Sequence, residues 1–147
     1  MKKITVLLPI LLIAFIALGY SLKSNFGRET EAGISFHEGT WEEALKIAEE
    51  KGKPIFLNIS ASWCGPCNAM KAKTFPDGDV GEFYNANFIN VMVDGEKGEG
   101  IELARKYGIS GYPSLIFVDS NGEFIAQTAG YRNPEQFVEI GKVIINR

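Results

Sequence analysis

This chain is short of the residues that build metal sites and covalent frameworks. Its 147 residues include two cysteines, Cys64 and Cys67, and a single histidine, His37. A closed zinc site takes about four nitrogen or sulfur ligands. With His37 far upstream of the cysteines, only borrowed carboxylates or a second subunit would complete one, so no metal is expected. Covalent haem needs a histidine directly after the second cysteine, where this chain has Asn68. His37 itself reads as a surface or linker side chain. Basic charge is also scarce, with 15 Lys and Arg against 18 Asp and Glu, and no basic cluster. That balance argues against nucleic acid and anionic membrane surfaces as partners. Internal repeats and low-complexity segments are lacking. The loop DGEKGEG (94–100) has neither the full calcium-loop spacing nor a P-loop Gly-Lys-Ser/Thr ending, and reads as a charged surface loop.

One long hydrophobic run is present. Lys2 and Lys3 precede ITVLLPILLIAFIALGY, whose uninterrupted core is short for a membrane span and suits the h-region of a secretory signal. Ala17 and Gly19 are small residues at a cleavage spacing, which makes 1–19 a signal peptide or, uncleaved, a membrane anchor. No cysteine lies near it to carry a lipid. In both cases the domain is expected outside the cytoplasm, periplasmic or secreted. Residues 20–33 are polar and aperiodic, a linker, and 34–147 form one domain. From Tyr20 onward, 13 of the 15 basic residues remain against 18 acidic ones, a formal charge of −5. Protein or small-thiol partners fit such an acidic domain, and a monomer is expected.

The domain alternates helix and strand signals. Thr40 and Glu43 form a capping box for a helix with Trp41, Leu45 and Ala48 on one face, ended by Gly52 and Pro54. PIFLNIS is a buried-type strand that runs into the cysteine motif. A helix follows from Pro66 to about Phe75, and another covers 79–86. NFINVMVD is a strand, EGIELARKYG an amphipathic helix stopped by Gly108, and YPSLIFVD a third strand. The turn SNG returns the chain through EFIAQTAG, and NPEQFVEIGKVIINR is a closing helix with Pro134 in its first turn. Helices between the first three strands imply crossovers, while the Asn-Gly turn implies an antiparallel last pair. The fold class is therefore α/β, a mixed central sheet flanked by helices. Phe83, Tyr84 and Phe88 fit core positions.

Three readings compete for Cys64 and Cys67: a staple, half a metal site, or a redox centre. As a staple the pair closes a tiny loop, which restricts the unfolded chain least. A domain of about 110 residues also buries enough surface to fold without one. The metal reading lacks ligands. The redox reading explains the neighbours as well. A strand ending at Ser60 delivers Cys64 to the start of a helix, where free N–H groups and the helix dipole favour a thiolate. Cys64 is then the nucleophile and Cys67, one turn on, the resolving thiol. Trp63 and Pro66 are apolar flanks over which a protein partner can dock, with ordinary packing as the alternative for Trp63.

The motif WCGPC in its strand–motif–helix setting resembles that of the thioredoxins. GYPS resembles the loop that carries their cis-proline, which assigns that role to Pro113. Gly130 matches the glycine after the last strand that completes the substrate groove. The likeness covers nearly all of 34–145. Within the superfamily the chain is similar to exported thioredoxin-like domains, such as the C-terminal thiol domain of the bacterial transmembrane electron-transfer reductase. The resemblance implies a thioredoxin fold, substrate contacts from Trp63, Gly65, Pro66, Tyr112, Pro113 and Gly130, and no cofactor. It also implies a disulfide-containing protein substrate and an upstream thiol donor, such as a membrane reductase. The Gly-Pro between the cysteines resembles the reducing members, so a protein-disulfide reductase is expected. An oxidase or isomerase, or a non-catalytic client-binding module, is the alternative.

Two positions depart from the family pattern. Thioredoxins usually carry a buried Asp six residues before the first cysteine, where Asn58 stands here. The Lys that often pairs with it is matched by Asn90. Both are expected to modulate proton transfer to and from Cys67, unless Asn58 is simply a polar strand residue with satisfied hydrogen bonds. Tyr112 is bulkier than many members carry and should narrow the groove.

Overall fold

The computed structural model describes residues 32–147, so the signal or anchor reading of 1–19 and most of the linker reading lie outside the described residues. Nine elements follow in order: α1 (Trp41–Lys51), β1 (Ile55–Ser60), α2 (Gly65–Lys73), α3 (Gly78–Asn87), β2 (Ile89–Asp94), α4 (Glu99–Lys106), β3 (Ser114–Val118), β4 (Phe124–Ala129) and α5 (Pro134–Ile145). The capping box forms as expected: Thr40 Oγ1 accepts the Glu43 N–H at 3.2 Å and Glu43 Oε2 accepts the Thr40 N–H at 2.8 Å. Gly52 closes α1 in the left-handed region at φ 60°, a conformation that suits glycine. No helix among the described residues is long and apolar enough to cross a membrane.

The sheet order is β2-β1-β3-β4. β1 and β2 are parallel, and the other two pairings are antiparallel, giving the mixed sheet. The connection through α4 carries the chain from β2 past β1, but it delivers β3 running opposite to both. Direction is decided at the sheet, by which end α4 leaves the chain, and not by the presence of a helix.

β1 is central and buried along its whole length. Its alternating side chains serve two cores. Ile55, Leu57 and Ile59 pack with Ala44 and Ala48 of α1 and Leu103 of α4. Phe56 faces the other layer, with Met70 of α2, Val80 and Tyr84 of α3, and Phe137 and Ile144 of α5. This second core is an aromatic cluster: Phe56 meets Phe75, Tyr84 and Phe137 edge to face and Phe117 at a tilt, with ring centroids 5.1–6.4 Å apart. Gly33, at the end of the expected linker, is buried, and its carbonyl accepts Asn85 Nδ2–H at 3.0 Å.

Two buried tyrosines make the fold sensitive to alkali. Burial pushes the Tyr107 hydroxyl up to about 12, with the Glu123 and Asp119 carboxylates adding to it, and burial also raises Tyr84. Each is neutral in the folded state at a pH where the unfolded chain would ionise. Their contribution to stability is whole below pH ~10 and is lost as pH climbs towards the raised value. The urea midpoint should hold up to pH ~10 and fall by pH ~12, and Tyr107→Phe should shed part of that fall. An alkaline loss identical in the variant would show that Tyr107 does not carry it.

Candidate functional site

The motif sits where β1 ends and α2 begins. Cys64 is the N-cap of α2, and its Sγ accepts the Cys67 N–H at 3.2 Å. Gly65 and Pro66 form the first turn, with Pro66 where its missing N–H costs nothing. Cys64 and Cys67 are joined as a disulfide. They are 3% and 1% exposed, while their neighbours Ser62, Trp63, Gly65 and Pro66 are exposed. On reduction, the same N–H group and the positive end of the helix dipole favour ionisation of Cys64. No acidic side chain stands in the first turn of α2 to oppose this.

The loop before β3 faces the motif. The Tyr112–Pro113 peptide is cis. Tyr112 packs against the cluster of Ala61, Cys64 and Cys67. Its ring meets Trp63 edge to face, with centroids 5.9 Å apart. Gly130, at φ 88°, donates its N–H to the Pro113 carbonyl at 2.9 Å and so ties the end of β4 to this loop. Trp63, Cys64, Cys67, Tyr112, Pro113 and Gly130 thus gather around one end of the sheet, with Gly65 and Pro66 beside them.

Asn58 and Asn90 separate. Asn58 is 1% exposed and points from β1 to the same side as Phe56. Met70 of α2 packs in the same core as Phe56, and Cys67 lies one turn before Met70 on that helix. Asn58 Oδ1 is buried without a hydrogen-bond partner. Asn90 Oδ1 is likewise buried without a partner, but its amide nitrogen is committed elsewhere. The residue pairs in register with Phe56, and its Nδ2 donates to Asn85 Oδ1 at 3.1 Å and Ser35 O at 3.4 Å. These bonds pin the segment before α1 to α3. No hydrogen bond among the described residues joins the two amides. His37 is partly buried, its N–H donating to Asn90 O at 2.8 Å and its Nε2 buried without a partner. It lies in that pinned segment rather than on a free surface.

Residues 41–144 match the thioredoxin-like domain family. The chain belongs to that family. It is 31% identical over 97 residues to the thiol:disulfide interchange protein DsbD of Citrobacter koseri, covering 64% of this chain and 17% of that protein. The DsbD of Yersinia pestis is 30% identical over 96 residues, covering 63% and 16%. The chain therefore spans about a sixth of the length of these curated relatives. Among solved structures, a candidate disulphide-isomerase from Bacteroides thetaiotaomicron is 37% identical, with 79% of this chain and 96% of that one covered at a TM-score of 0.69. The oxidised C-terminal domain of Neisseria meningitidis DsbD, 24% identical over 74% of this chain and 98% of its own, shares the fold at a TM-score of 0.61. The Cys64–Cys67 disulfide is thus set in the frame of a thioredoxin-like disulfide oxidoreductase.

One participant was missed by reading the sequence. The loop 94–100, read as a plain charged surface, brings Glu96 to the motif, where its Oε2 accepts the Trp63 Nε1–H at 3.0 Å. The available signal was topological. Parallel β1 and β2 end side by side, with Ser60 opposite Asp94, so the residues after both strands share one rim. Asp94 on that rim is held below the usual carboxylate range, chiefly by the Glu96 N–H and also by Lys97 and Lys71.

Proposed function

We propose that the domain reduces protein disulfides outside the cytoplasm, cycling Cys64 and Cys67 between dithiol and disulfide. The observation that carries the reading is Cys64 at the N-cap of α2, its sulfur already accepting a backbone N–H. The Cys64 thiolate attacks one sulfur of the substrate disulfide. A Cys64–substrate bond forms and the other substrate sulfur leaves as a thiolate, which takes a proton. The Cys67 thiolate then attacks Cys64 Sγ and expels the second substrate thiolate. Two electrons pass from the pair to the substrate, and the Cys64–Cys67 disulfide remains. An upstream thiol donor, in our reading a membrane reductase, restores the dithiol. The apolar run after Lys2 and Lys3 supports a periplasmic or secreted location, and the likeness to thiol:disulfide interchange proteins supports the donor.

Proton handling at Cys67 follows from Asn58. An amide oxygen can accept a hydrogen bond from a thiol, but it cannot remove the thiol's proton. The leaving thiolate of the substrate, or water, takes that proton instead. Asn58→Asp should add a buried base whose pKa is raised by its surroundings, so that the resolving step quickens as pH rises through it. An unchanged pH–rate profile would remove Asn58 from the mechanism.

The direction of electron flow is tested by the equilibrium potential of the pair against glutathione. A reductase should lie near the thioredoxin value of about −270 mV, and a value near the oxidase end, about −120 mV, would overturn the assignment. An intermediate value would favour isomerase activity, the reading supported by the Bacteroides neighbour.

A further inference from the structure

The loop after β2 is built to hold one carboxylate in place. The Gly95 N–H donates to Ser60 O at 2.8 Å, which carries the β1–β2 pairing one step beyond Asp94. Asp94 Oδ1 accepts the Glu96 N–H at 3.0 Å, and Lys97 Nζ lies 3.5 Å from Asp94 Oδ2. Glu96, so fixed, receives the Trp63 indole N–H at 3.0 Å. Trp63 is 69% exposed, so burial does not set its rotamer. Its ring is held instead at two points, by the Glu96 carboxylate and by the edge of Tyr112. The Tyr112 side of this arrangement depends on Gly95, because a Cβ there would stand 2.7 Å from Tyr112 Cε1 and 2.8 Å from Ile59 Cγ2. Gly95, Glu96, Trp63 and Tyr112 close a ring of contacts beside Cys64.

We infer that Glu96 is a positioning residue for substrate docking, holding the Trp63 indole in one orientation as a wall of the groove over Cys64. The inference deepens the proposed oxidoreductase reading and rests on it. Left free, an exposed indole populates several staggered rotamers, and a docking partner must then select one of them. The charge-assisted hydrogen bond makes that selection beforehand, which improves binding more than the chemical step. The partner that fits is an extended protein segment with an apolar side chain next to its disulfide, able to lie on the Trp63 and Tyr112 rings.

The test compares Glu96→Ala with Glu96→Gln, the latter keeping an acceptor oxygen without the charge. The first readout is the Trp63 indole N–H resonance in the oxidised domain, assigned with Trp63→Phe. It should shift and exchange faster with solvent in Glu96→Ala and stay near its original position in Glu96→Gln. The second readout is kinetic. KM for a folded disulfide protein should rise about fivefold in Glu96→Ala, the worth of one hydrogen bond, and less in Glu96→Gln, with kcat affected less than KM. An unmoved indole resonance in Glu96→Ala overturns the inference, as does an unchanged KM or an equal loss in both variants. If the unmodified domain fails to reduce any protein disulfide, the oxidoreductase reading falls with its docking role. The indole resonance still decides whether Glu96 holds Trp63.

Discussion

Cys64→Ser is expected to lose disulfide reduction by a factor on the order of 10⁴ or more, because a serine hydroxyl is not ionised at neutral pH and forms no mixed disulfide. The fold should survive the change. Serine is a preferred N-cap residue, and its Oγ can accept the Cys67 N–H that Cys64 Sγ accepts now. The lost disulfide closes a loop with a sequence separation of three, too small to have constrained the unfolded chain much. Cys67→Ser is the complementary case. It keeps the nucleophile and removes the resolving thiol, so it should accumulate one covalent substrate adduct per chain, seen by mass and released by dithiothreitol. Wild-type turnover in Cys64→Ser would show that a binding role, and not thiol exchange, accounts for any effect on clients.

The largest effect on stability is expected from Phe56→Ala. This ring lies in the central strand and meets four other aromatic rings contributed by β3, α3, α5 and the turn after α2. Its neighbours Tyr84 and Phe137 are themselves stacked at 4.1 Å, and the Tyr84 hydroxyl donates to Phe137 O, so they have little freedom to fill the gap. Loss of the transfer energy together with an open cavity should cost about 3–5 kcal/mol. Against a typical total of ~5–15 kcal/mol, this leaves a marginal domain. Urea unfolding should show a lower midpoint at unchanged slope, since the surface exposed on unfolding barely alters. A loss below ~1 kcal/mol would mean that the aromatic layer repacks, contrary to the locked geometry around Tyr84.

Much of this molecule was legible in its sequence because the relevant physics is local. Periodicity gave the helices and strands, Thr40 with Glu43 gave a helix start, and Asn121-Gly122 gave the hairpin. Each depends on residues a few positions apart. The features that were harder to read depend on residues far apart. The reversed direction of β3 depends on where α4 leaves the chain. The commitment of Asn90 depends on Asn85 and Ser35, the latter 55 positions away. The Glu96 bond to Trp63 spans 33 positions. A charged loop looks the same on paper whether its carboxylates face water or an active-site indole. The cysteine pair stood out for the opposite reason, since both of its sulfurs and the helix that serves them lie within one short stretch.

The near-complete covering of the two sulfurs has a consequence for traffic in electrons. A pair this enclosed behaves like the conductor inside an insulated wire. Ala61 and Tyr112 pack against the pair, so small oxidants and reductants drifting in solution have only a narrow approach to sulfur. On the proposed oxidoreductase reading, current passes fastest to a partner that seats over the motif and brings its own disulfide into register. If the pair works as the proposed reductase, that enclosure keeps the dithiol from being spent before its intended recipient arrives.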